Sequence, residues 1–165
     1  MLLDGRVLVL GGESDTAEVW DPATMTFSPA GVMEPFRTGH STTLLSDGRV
    51  LVVGGEGPCD EESGACESLA SAEVWDPATM SFSPAGTLAR SRLDHTATLL
   101  PDSRALVFGG NDDPALPRFS FESGLWDGRL RAQDGEDDAK ASLWPFLAVK
   151  AGIMMGSKTA RSPKT

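Results

Sequence analysis

The sequence Ala-Glu-Val-Trp-Asp-Pro-Ala-Thr-Met occupies residues 17–25 and recurs without a single change at residues 72–80. In both copies one further residue is followed by Phe-Ser-Pro-Ala-Gly, at 27–31 and at 82–86. Chance does not reproduce so many consecutive residues. The chain is therefore expected to be built from copies of one structural unit.

A second repeated block precedes the first one in each unit. Asp-Gly-Arg-Val-Leu-Val-Leu-Gly-Gly at 4–12 recurs with one change at 47–55 and with more changes at 102–110. The glycine pairs are thus 43 and 55 residues apart, and the additional 12 residues lie between Gly55 and Ala72. The second copy of the repeat therefore contains an insertion of 12 residues.

The repeats divide the chain into three units and a tail. Unit 1, at 1–31, is incomplete; unit 2, at 32–86, is complete and contains the 12-residue insertion near 56–71; unit 3, at 87–134, is degenerate. The tail at 135–165 shows no repeat. We expect it to be irregular or weakly helical, and partly disordered.

Each unit has the pattern of four short strands. In unit 2, residues 40–45 and 49–53 are apolar or β-branched runs joined by a turn that contains Asp-Gly, a strong hairpin signal. Residues 72–75 and 81–83 flank Asp-Pro-Ala-Thr, in which Asp and Pro suit the first two turn positions. The pattern predicts one four-stranded antiparallel sheet with no helix over 40–86, the size of a propeller blade.

The charge and hydropathy of the chain argue against two classes of partner. Acidic residues outnumber Lys and Arg by 24 to 14, and a net charge of −10 disfavours binding to nucleic acid. No apolar run approaches the roughly 18 residues of a membrane span. Residues 1–6 include an acid and a base where a signal peptide needs a continuous apolar stretch.

The motifs resemble those of a known repeat family. His-x-x-x-x-Leu, Asp-Gly-Arg-Val-Leu-Val-x-Gly-Gly and Ala-Glu-Val-Trp-Asp-Pro-x-Thr resemble the kelch repeat, above all that of bacterial kelch proteins similar to the propeller domain of galactose oxidase. The resemblance covers about residues 1–110. It implies an all-β fold: a partial β-propeller built of kelch-type four-stranded antiparallel blades.

The number of blades is smaller than a closed propeller requires. Such rings contain about four or more blades, whereas this chain has at most three, and the first begins at its second strand. We expect a piece of a longer protein, the product of a truncated gene, or one of several chains that assemble a ring. Open blade faces and unpaired edges predict self-association.

The sequence lacks one residue type that the enzyme activity suggested by the resemblance requires. Galactose oxidase and its relatives use copper, a tyrosyl radical, a second tyrosine and histidines, and this chain contains no tyrosine. We therefore expect no catalytic residue, no metal site and no cofactor. The alternatives are a fragment of a copper oxidase whose catalytic residues lie outside this sequence, or a truncated product without function.

His40 and His95 are the only histidines, and they occupy equivalent positions in successive units. Imidazole is a common metal ligand, but no further ligand recurs beside them. We expect both to be structural residues that are hydrogen-bonded within the inner strands.

Arg37 and Arg92 each precede one of these histidines by three residues. In kelch proteins that bind peptides, the same loop presents basic residues at the mouth of the channel, and Arg can form two hydrogen bonds to a carboxylate. The resemblance thus makes Arg37 and Arg92 candidate binding residues for an acidic partner. The alternative is a repeated structural contact with an acid of a neighbouring blade.

Cys59 and Cys66 bracket an acidic stretch within the insertion. Two cysteines seven residues apart in a surface loop predict a local disulfide, which fits an exported parent protein. Two free thiols are the alternative. The acidic residues of the loop lack the alternating Asp/Asn pattern of a calcium-binding loop, so we expect them to be solvated.

The other repeated residues are expected to be structural. Trp20 and Trp75 lie just before a turn, where we expect them to pack between blades. The glycine pairs, which include Gly54-Gly55 and Gly109-Gly110, lack the spacing of a nucleotide-binding loop. They are expected to allow a tight backbone passage at a strand end.

The sequence therefore predicts a non-enzymatic kelch-repeat propeller segment. Its blade loops are expected to bind a protein or carbohydrate ligand, and the parent protein is expected to be extracellular or at the cell surface.

Overall fold

The structure is a computed structural model that describes residues 1–12, 14–111, 123–127 and 130–131. The chain divides into two compact regions, residues 1–133 and residues 134–165, and every described residue belongs to the first of them. The predictions for the tail at 135–165 lie outside the described residues, as does part of the degenerate unit 3.

The described residues form β-strands and turns, with no helix among them. In chain order the strands are β1 Val7–Val9, β2 Thr16–Asp21, β3 Thr26–Val32, β4 Ser41–Leu44, β5 Val50–Val53, β6 Glu56–Cys59, β7 Cys66–Ser68, β8 Ser71–Asp76, β9 Ser81–Thr87, β10 Thr96–Leu99, β11 Ala105–Phe108, β12 Ser123–Trp126 and β13 Leu130–Arg131. The all-β prediction is confirmed for this part of the chain.

Each unit forms its own antiparallel sheet. Unit 1 has the strand order β1-β2-β3, unit 2 has β4-β5-β8-β9, and unit 3 has β10-β11-β12-β13. A single parallel pair, Leu130 opposite Gly86, links the sheets of units 2 and 3. The four-stranded sheet predicted over residues 40–86 is confirmed, and no sheet of the described strands closes on itself.

The strand register is the same in all three units. Trp20 lies opposite Val7, Trp75 opposite Val50, and Trp126 opposite Ala105. In each case the facing residue is the third after the Asp of the Asp-Gly-Arg or Asp-Ser-Arg turn. The strand β12, which contains Trp126, therefore occupies the same position in its sheet as β2 and β8 do in theirs, although its sequence has little similarity to them.

The outer strands are longer than the sequence pattern predicts. The last strand of unit 2 is predicted at residues 81–83. In the structure β9 continues to Thr87; Pro84 lies opposite Glu73 and Gly86 opposite Ala72, so Ala85 of β9 is the additional residue at the register shift. A β-bulge of this kind absorbs one residue and lets pairing resume beyond it.

The two central strands of unit 2, β5 and β8, are largely buried, and all four residues of β5 are buried. Leu51 and Val53 belong to a cluster that includes Ala105 and Val107 of unit 3. Val50 belongs to a second cluster with residues of unit 1, including Leu2, Ala17, Val19 and Ala30. Side chains alternate between the faces of a strand, so apolar residues throughout β5 cover both neighbouring units.

Candidate functional site

The arginines, histidines and glycine pairs that stand out in the sequence lie near the contacts between neighbouring units. We call this region the junction. It comprises Arg37, His40, Gly54 and Gly55, with their equivalents Arg92, His95, Gly109 and Gly110. All of them lie in the loop before an inner strand or directly after the second strand of a sheet.

The guanidinium of Arg37 is completely buried, with 0% of the residue exposed. It donates hydrogen bonds to the carbonyl oxygens of Gly54 at 3.1 Å and Ser71 at 2.9 Å, and to Glu73 Oε2 at 3.1 Å. These bonds tie the loop before β4 to the ends of β5 and β8. Arg37 therefore stabilises the sheet of unit 2 through buried hydrogen bonds.

Glu73 supplies the counter-charge of Arg37. It is buried in β8, and burial raises the pKa of its carboxyl, an effect that the Arg37 charge opposes. Burial also lowers the pKa of Arg37, against the attraction of Glu73. A guanidinium stays charged in proteins, so the contact is a buried ion pair, in which each partner prevents an isolated charge.

Arg92 repeats part of this arrangement in unit 3. It is 2% exposed, and its guanidinium donates to the carbonyl of Gly109 at 2.7 Å, as Arg37 does to Gly54. The expectation that Arg37 and Arg92 present their guanidinium groups at the surface is therefore not met. Both groups make contacts inside the protein, but the acid that pairs with Arg37 is Glu73 of its own unit and not an acid of a neighbouring one.

The histidines contact the preceding unit. His95 lies over Gly54, where an added Cβ would come within 2.8 Å of its ring, and its Nε2 lies 2.7 Å from Ser41 Oγ on β4. His40 lies in the same way over Gly11, and its Nδ1 lies 3.0 Å from the Arg37 carbonyl. The structure places both histidines between units rather than within one inner strand.

Burial keeps both imidazoles neutral near neutral pH. It lowers the pKa of His95 to about 4, with smaller contributions from Arg92 and His40. The pKa of His40 is also lowered, chiefly by burial. A neutral imidazole has one donor and one acceptor nitrogen, so Nδ1 of His40 can donate to the Arg37 carbonyl and Nε2 of His95 can either donate to or accept from the Ser41 hydroxyl.

Gly54 and Gly55 allow the units to approach this closely. Their φ values are +61° and +101°, in the region that side chains rarely adopt. A Cβ on Gly55 would lie 2.5 Å from the carbonyl oxygen of Thr38. The Gly55 N–H donates to the carbonyl of Arg92 at 2.7 Å, a backbone bond between units 2 and 3. The pair thus permits a tight backbone passage.

Trp75 connects units 1 and 2. It is 0% exposed, and its Nε1–H donates to the carbonyl of Ala30 on β3 at 2.7 Å. Trp20 is only half-buried. The buried Trp126 marks the same register position in unit 3.

Cys59 and Cys66 form a disulfide that closes the hairpin of β6 and β7. The tip at 60–65 is exposed throughout. Asp60 Oδ1 accepts the N–H groups of Glu62 at 3.1 Å and Ser63 at 2.7 Å, and these hydrogen bonds lower the pKa of Asp60. The tip is therefore an ordered acidic turn held at its base by a covalent bond.

Among the residues that the structure describes, no group of three or more His, Cys, Asp or Glu side chains is placed to hold a metal ion. Likewise, no helix here is long and apolar enough to cross a membrane.

Two partners in the junction, Glu73 and Ser41, were not expected from the sequence. Glu73 belongs to the perfectly repeated stretch, but its equivalent Glu18 is exposed, so the repeat alone does not mark it. The signal for Ser41 was available, because a hydroxyl residue, Ser41 or Thr96, follows each histidine.

The fold defines the class of this protein as an all-β protein of repeated antiparallel sheets. No family model matches the chain, and no curated protein matches it. Comparison with solved structures finds 123 matching chains. One of them, the structure of YjhT, has a TM-score of 0.56 and 18% sequence identity, and the match covers 67% of this chain and 32% of that one. The likeness concerns the fold, and this chain spans about a third of YjhT.

Proposed function

We propose that this chain is a non-enzymatic segment of a kelch-type β-propeller that binds a protein or carbohydrate partner through loops between its strands. The sequence motifs support the kelch assignment, and the common register of three sheets supports a repeated blade. Unit 2 is covered by a neighbour on each face, as a blade within a ring would be.

The proposal that the chain is not an enzyme rests mainly on the burial of the polar junction residues. Arg37, Arg92 and His95 are all buried and make contacts within or between units. A catalytic group must be able to touch a substrate. The junction residues therefore hold the sheets together, and recognition is left to exposed loops.

The disulfide-closed hairpin is the best candidate among these loops. Its tip is exposed, and backbone hydrogen bonds to Asp60 give it a defined shape before any partner binds. A preformed loop loses less conformational entropy on binding than a flexible one. Glu61 and Glu62 are exposed there and favour a partner surface with basic groups or hydroxyls.

The same disulfide supports an exported parent protein. Disulfides persist mainly in secreted and cell-surface proteins, because the cytosol keeps thiols reduced. We propose that the parent acts outside the cytosol, with the hairpin in its oxidised form.

Binding of the oxidised full chain to immobilised neutral oligosaccharides and to basic, neutral and acidic peptides tests this function. We expect saturable binding to the basic peptide or to the neutral oligosaccharides, and none to the acidic peptide. A variant with Glu61→Lys and Glu62→Lys should bind that probe at least about tenfold more weakly, since both charges at the tip are reversed.

A matched control reverses two exposed acids elsewhere, Asp15→Lys and Glu18→Lys. This control has the same net charge as the hairpin variant and should bind like the unaltered chain. An equal loss in both variants would assign binding to net charge and not to the hairpin. Binding to none of the probes would refute the proposed function.

A further inference from the structure

The two ends of the disulfide-closed hairpin are hydrogen-bonded to different units. At its start, Glu56 of β6 exchanges two backbone hydrogen bonds of 2.8 Å with Thr38 of unit 2. At its end, the carbonyl of Leu69 accepts the N–H of Arg92 in unit 3 at 3.0 Å. The Leu69 N–H donates to the carbonyl of Gly55 at 2.8 Å, which joins the two ends to each other. The insertion therefore links units 2 and 3.

A second hydrogen bond between these units has an equivalent in the contact between units 1 and 2. The Leu88 N–H donates to the carbonyl of Ala70, near the end of the insertion, at 2.8 Å. The Met33 N–H donates in the same way to the carbonyl of Asp15 at 2.7 Å, where the sequence has no insertion. The repeat relates Met33 to Leu88 and Asp15 to Ala70. The chain thus contains two matched contacts, one of which adjoins the hairpin.

The side chain of Leu69 connects the hairpin to the contact with unit 3. It is 5% exposed and lies over Gly57 of β6, where an added Cβ would come within 3.2 Å of both its methyl carbons. Along the two legs of the hairpin, this packing lies between the disulfide and the bonds to unit 3. A change in the spacing of the two legs would therefore displace the Leu69 carbonyl.

The disulfide holds together a hairpin whose charges oppose its closure. Two-stranded hairpins are marginally stable in water, and β6 and β7 have two aligned residue pairs, one of which is Cys59 with Cys66. Four acids and no base lie between the cysteines and directly after them, at 60–62 and 67. Like charges at this separation repel each other. Without the covalent bond, the two legs should therefore separate more often.

Cys59 is accessible to a reductant. It is exposed, whereas Cys66 is half-buried. A dithiol attacks Cys59 Sγ as its thiolate, the S–S bond breaks, and Cys66 leaves as a thiolate that takes up a proton. The second thiol of the reductant then releases Cys59 as a thiol and completes a disulfide within the reductant. In total, two electrons and two protons pass to the protein.

We propose that the hairpin is a redox-sensitive link, in which reduction of the Cys59–Cys66 disulfide by a dithiol loosens the contact between units 2 and 3. The reduced hairpin no longer fixes Leu69, and the bonds that Arg92 and Leu88 donate to the insertion open more often. The contact between units 1 and 2, which contains no insertion, is left unchanged. This inference goes beyond the proposed function, because no partner takes part in it.

Amide hydrogen exchange of the full chain, measured by NMR on the oxidised chain and on the chain reduced with dithiothreitol, tests the link. The amides of Leu88 and Arg92 should exchange at least about tenfold faster in the reduced chain, since their acceptors belong to the insertion. The Met33 amide, whose equivalent bond adjoins no insertion, should change less than about twofold. Comparison within one sample separates local opening from a general loss of stability.

The double variant Cys59→Ser with Cys66→Ser is the matched control for the reductant. Its Leu88 and Arg92 amides should exchange as fast as in the reduced chain, and dithiothreitol should change neither rate. An effect of dithiothreitol on this variant would show that the reductant acts elsewhere, and would overturn the proposal.

The variant Leu69→Ala tests the route through the hairpin. In its oxidised form, Leu88 and Arg92 should already exchange faster than in the unaltered chain. Reduction should then add less than about threefold, because the packing on Gly57 is gone. The same increase on reduction in both chains would overturn the role assigned to Leu69.

Two results on the unaltered chain would overturn the link as a whole. One is equal exchange of Leu88 and Arg92 in both redox states, which would show that the disulfide does not act on unit 3. The other is an increase of the same size at Met33, which would show that the disulfide stabilises the chain uniformly. Neither result involves a binding partner, so the link and the proposed function can fail independently.

Discussion

Residues 17–25 and 72–80 have identical sequences, and their local structures agree closely. Both form a strand that ends in the same turn: the fifth residue of the turn donates to the carbonyl of Asp21 or Asp76, at 2.8 and 2.9 Å. The same Asp side chains accept the N–H of Ala23 or Ala78, each at 2.8 Å. These nine residues therefore form the same strand and the same turn in both units.

The surroundings of the two copies differ. Trp20 is half-buried and Glu18 exposed, whereas Trp75 is 0% exposed and Glu73 is buried beside Arg37. The copy in unit 2 lies between two neighbouring sheets, while the copy in unit 1 has a described neighbour on one face only. Burial and ion pairing therefore depend on the neighbouring units and not on the repeat itself.

The largest difference is expected for the two tryptophans. Trp75→Ala should lower the free energy of unfolding by about 4 kcal/mol, because it removes a fully buried side chain and its bond to Ala30. Trp20→Ala should cost less than half as much. Urea unfolding followed by circular dichroism, at one protein concentration, measures both. Equal losses would contradict the comparison and indicate that unit 1 is covered in solution.

A smaller difference is expected for the repeated glutamates. Glu73→Ala leaves the buried Arg37 without its counter-charge and should cost about 3 kcal/mol of unfolding free energy. Glu18→Ala at the exposed copy should change stability by no more than about 0.5 kcal/mol. The same unfolding experiment gives both values. If the two variants are equally stable, the Arg37 ion pair does not contribute as proposed.

The pH dependence of stability tests the junction between units 2 and 3. The folded chain holds His95 neutral down to a pKa of about 4, whereas the unfolded histidine takes up a proton near 6.5. Stability is therefore complete above the unfolded pKa and falls as the pH drops toward the folded one. Between about pH 7 and about pH 5 the loss should be about 2 kcal/mol.

The variant His95→Gln provides the control for this pH dependence. Its stability should fall less over the same range, and the difference between the two curves cancels the titration of Glu73, whose raised pKa acts with the opposite sign. Because His40 is less buried, His40→Gln should remove a smaller part of the slope. Parallel curves for all three chains would contradict a buried neutral His95.

The smallest difference is expected at the turns. Met25 and Met80 have φ values of 58° and 53°, which glycine adopts without strain. Met25 is 73% exposed, so Met25→Gly should stabilise the chain by about 0.5 kcal/mol. Met80 packs against the cluster shared with unit 1, and Met80→Gly should give no net gain. Equal gains in thermal unfolding would show that this packing contributes nothing.

The fold was largely predictable from residue patterns. The Asp-Gly-Arg and Asp-Pro-Ala-Thr turns locate the hairpins, since Asp, Gly and Pro each restrict the backbone locally. The extent of β9 beyond Pro84 was not predictable, because pairing resumes after Ala85, which has no partner between Pro84 opposite Glu73 and Gly86 opposite Ala72. The length of β9 thus depended on β8 extending far enough to pair with Gly86 and Thr87.

The candidate site was predictable in its members but not in their roles. Arg37 and Arg92 stand out by their spacing from His40 and His95, and the same spacing fits an exposed loop or a buried contact. Their burial depends on whether a carboxylate or a carbonyl lies within reach in the folded sheet. Glu73 provides one such partner for Arg37, 36 residues away in the chain.

The units, the turns and the pairing within each sheet could be read from the sequence alone, because these depend largely on local residue patterns. Which copy of a repeated residue is buried and which histidine meets a hydroxyl followed only from the packing of the units. Identical residues meet different neighbours when units lie side by side, and burial, pKa and ion pairing follow from those neighbours.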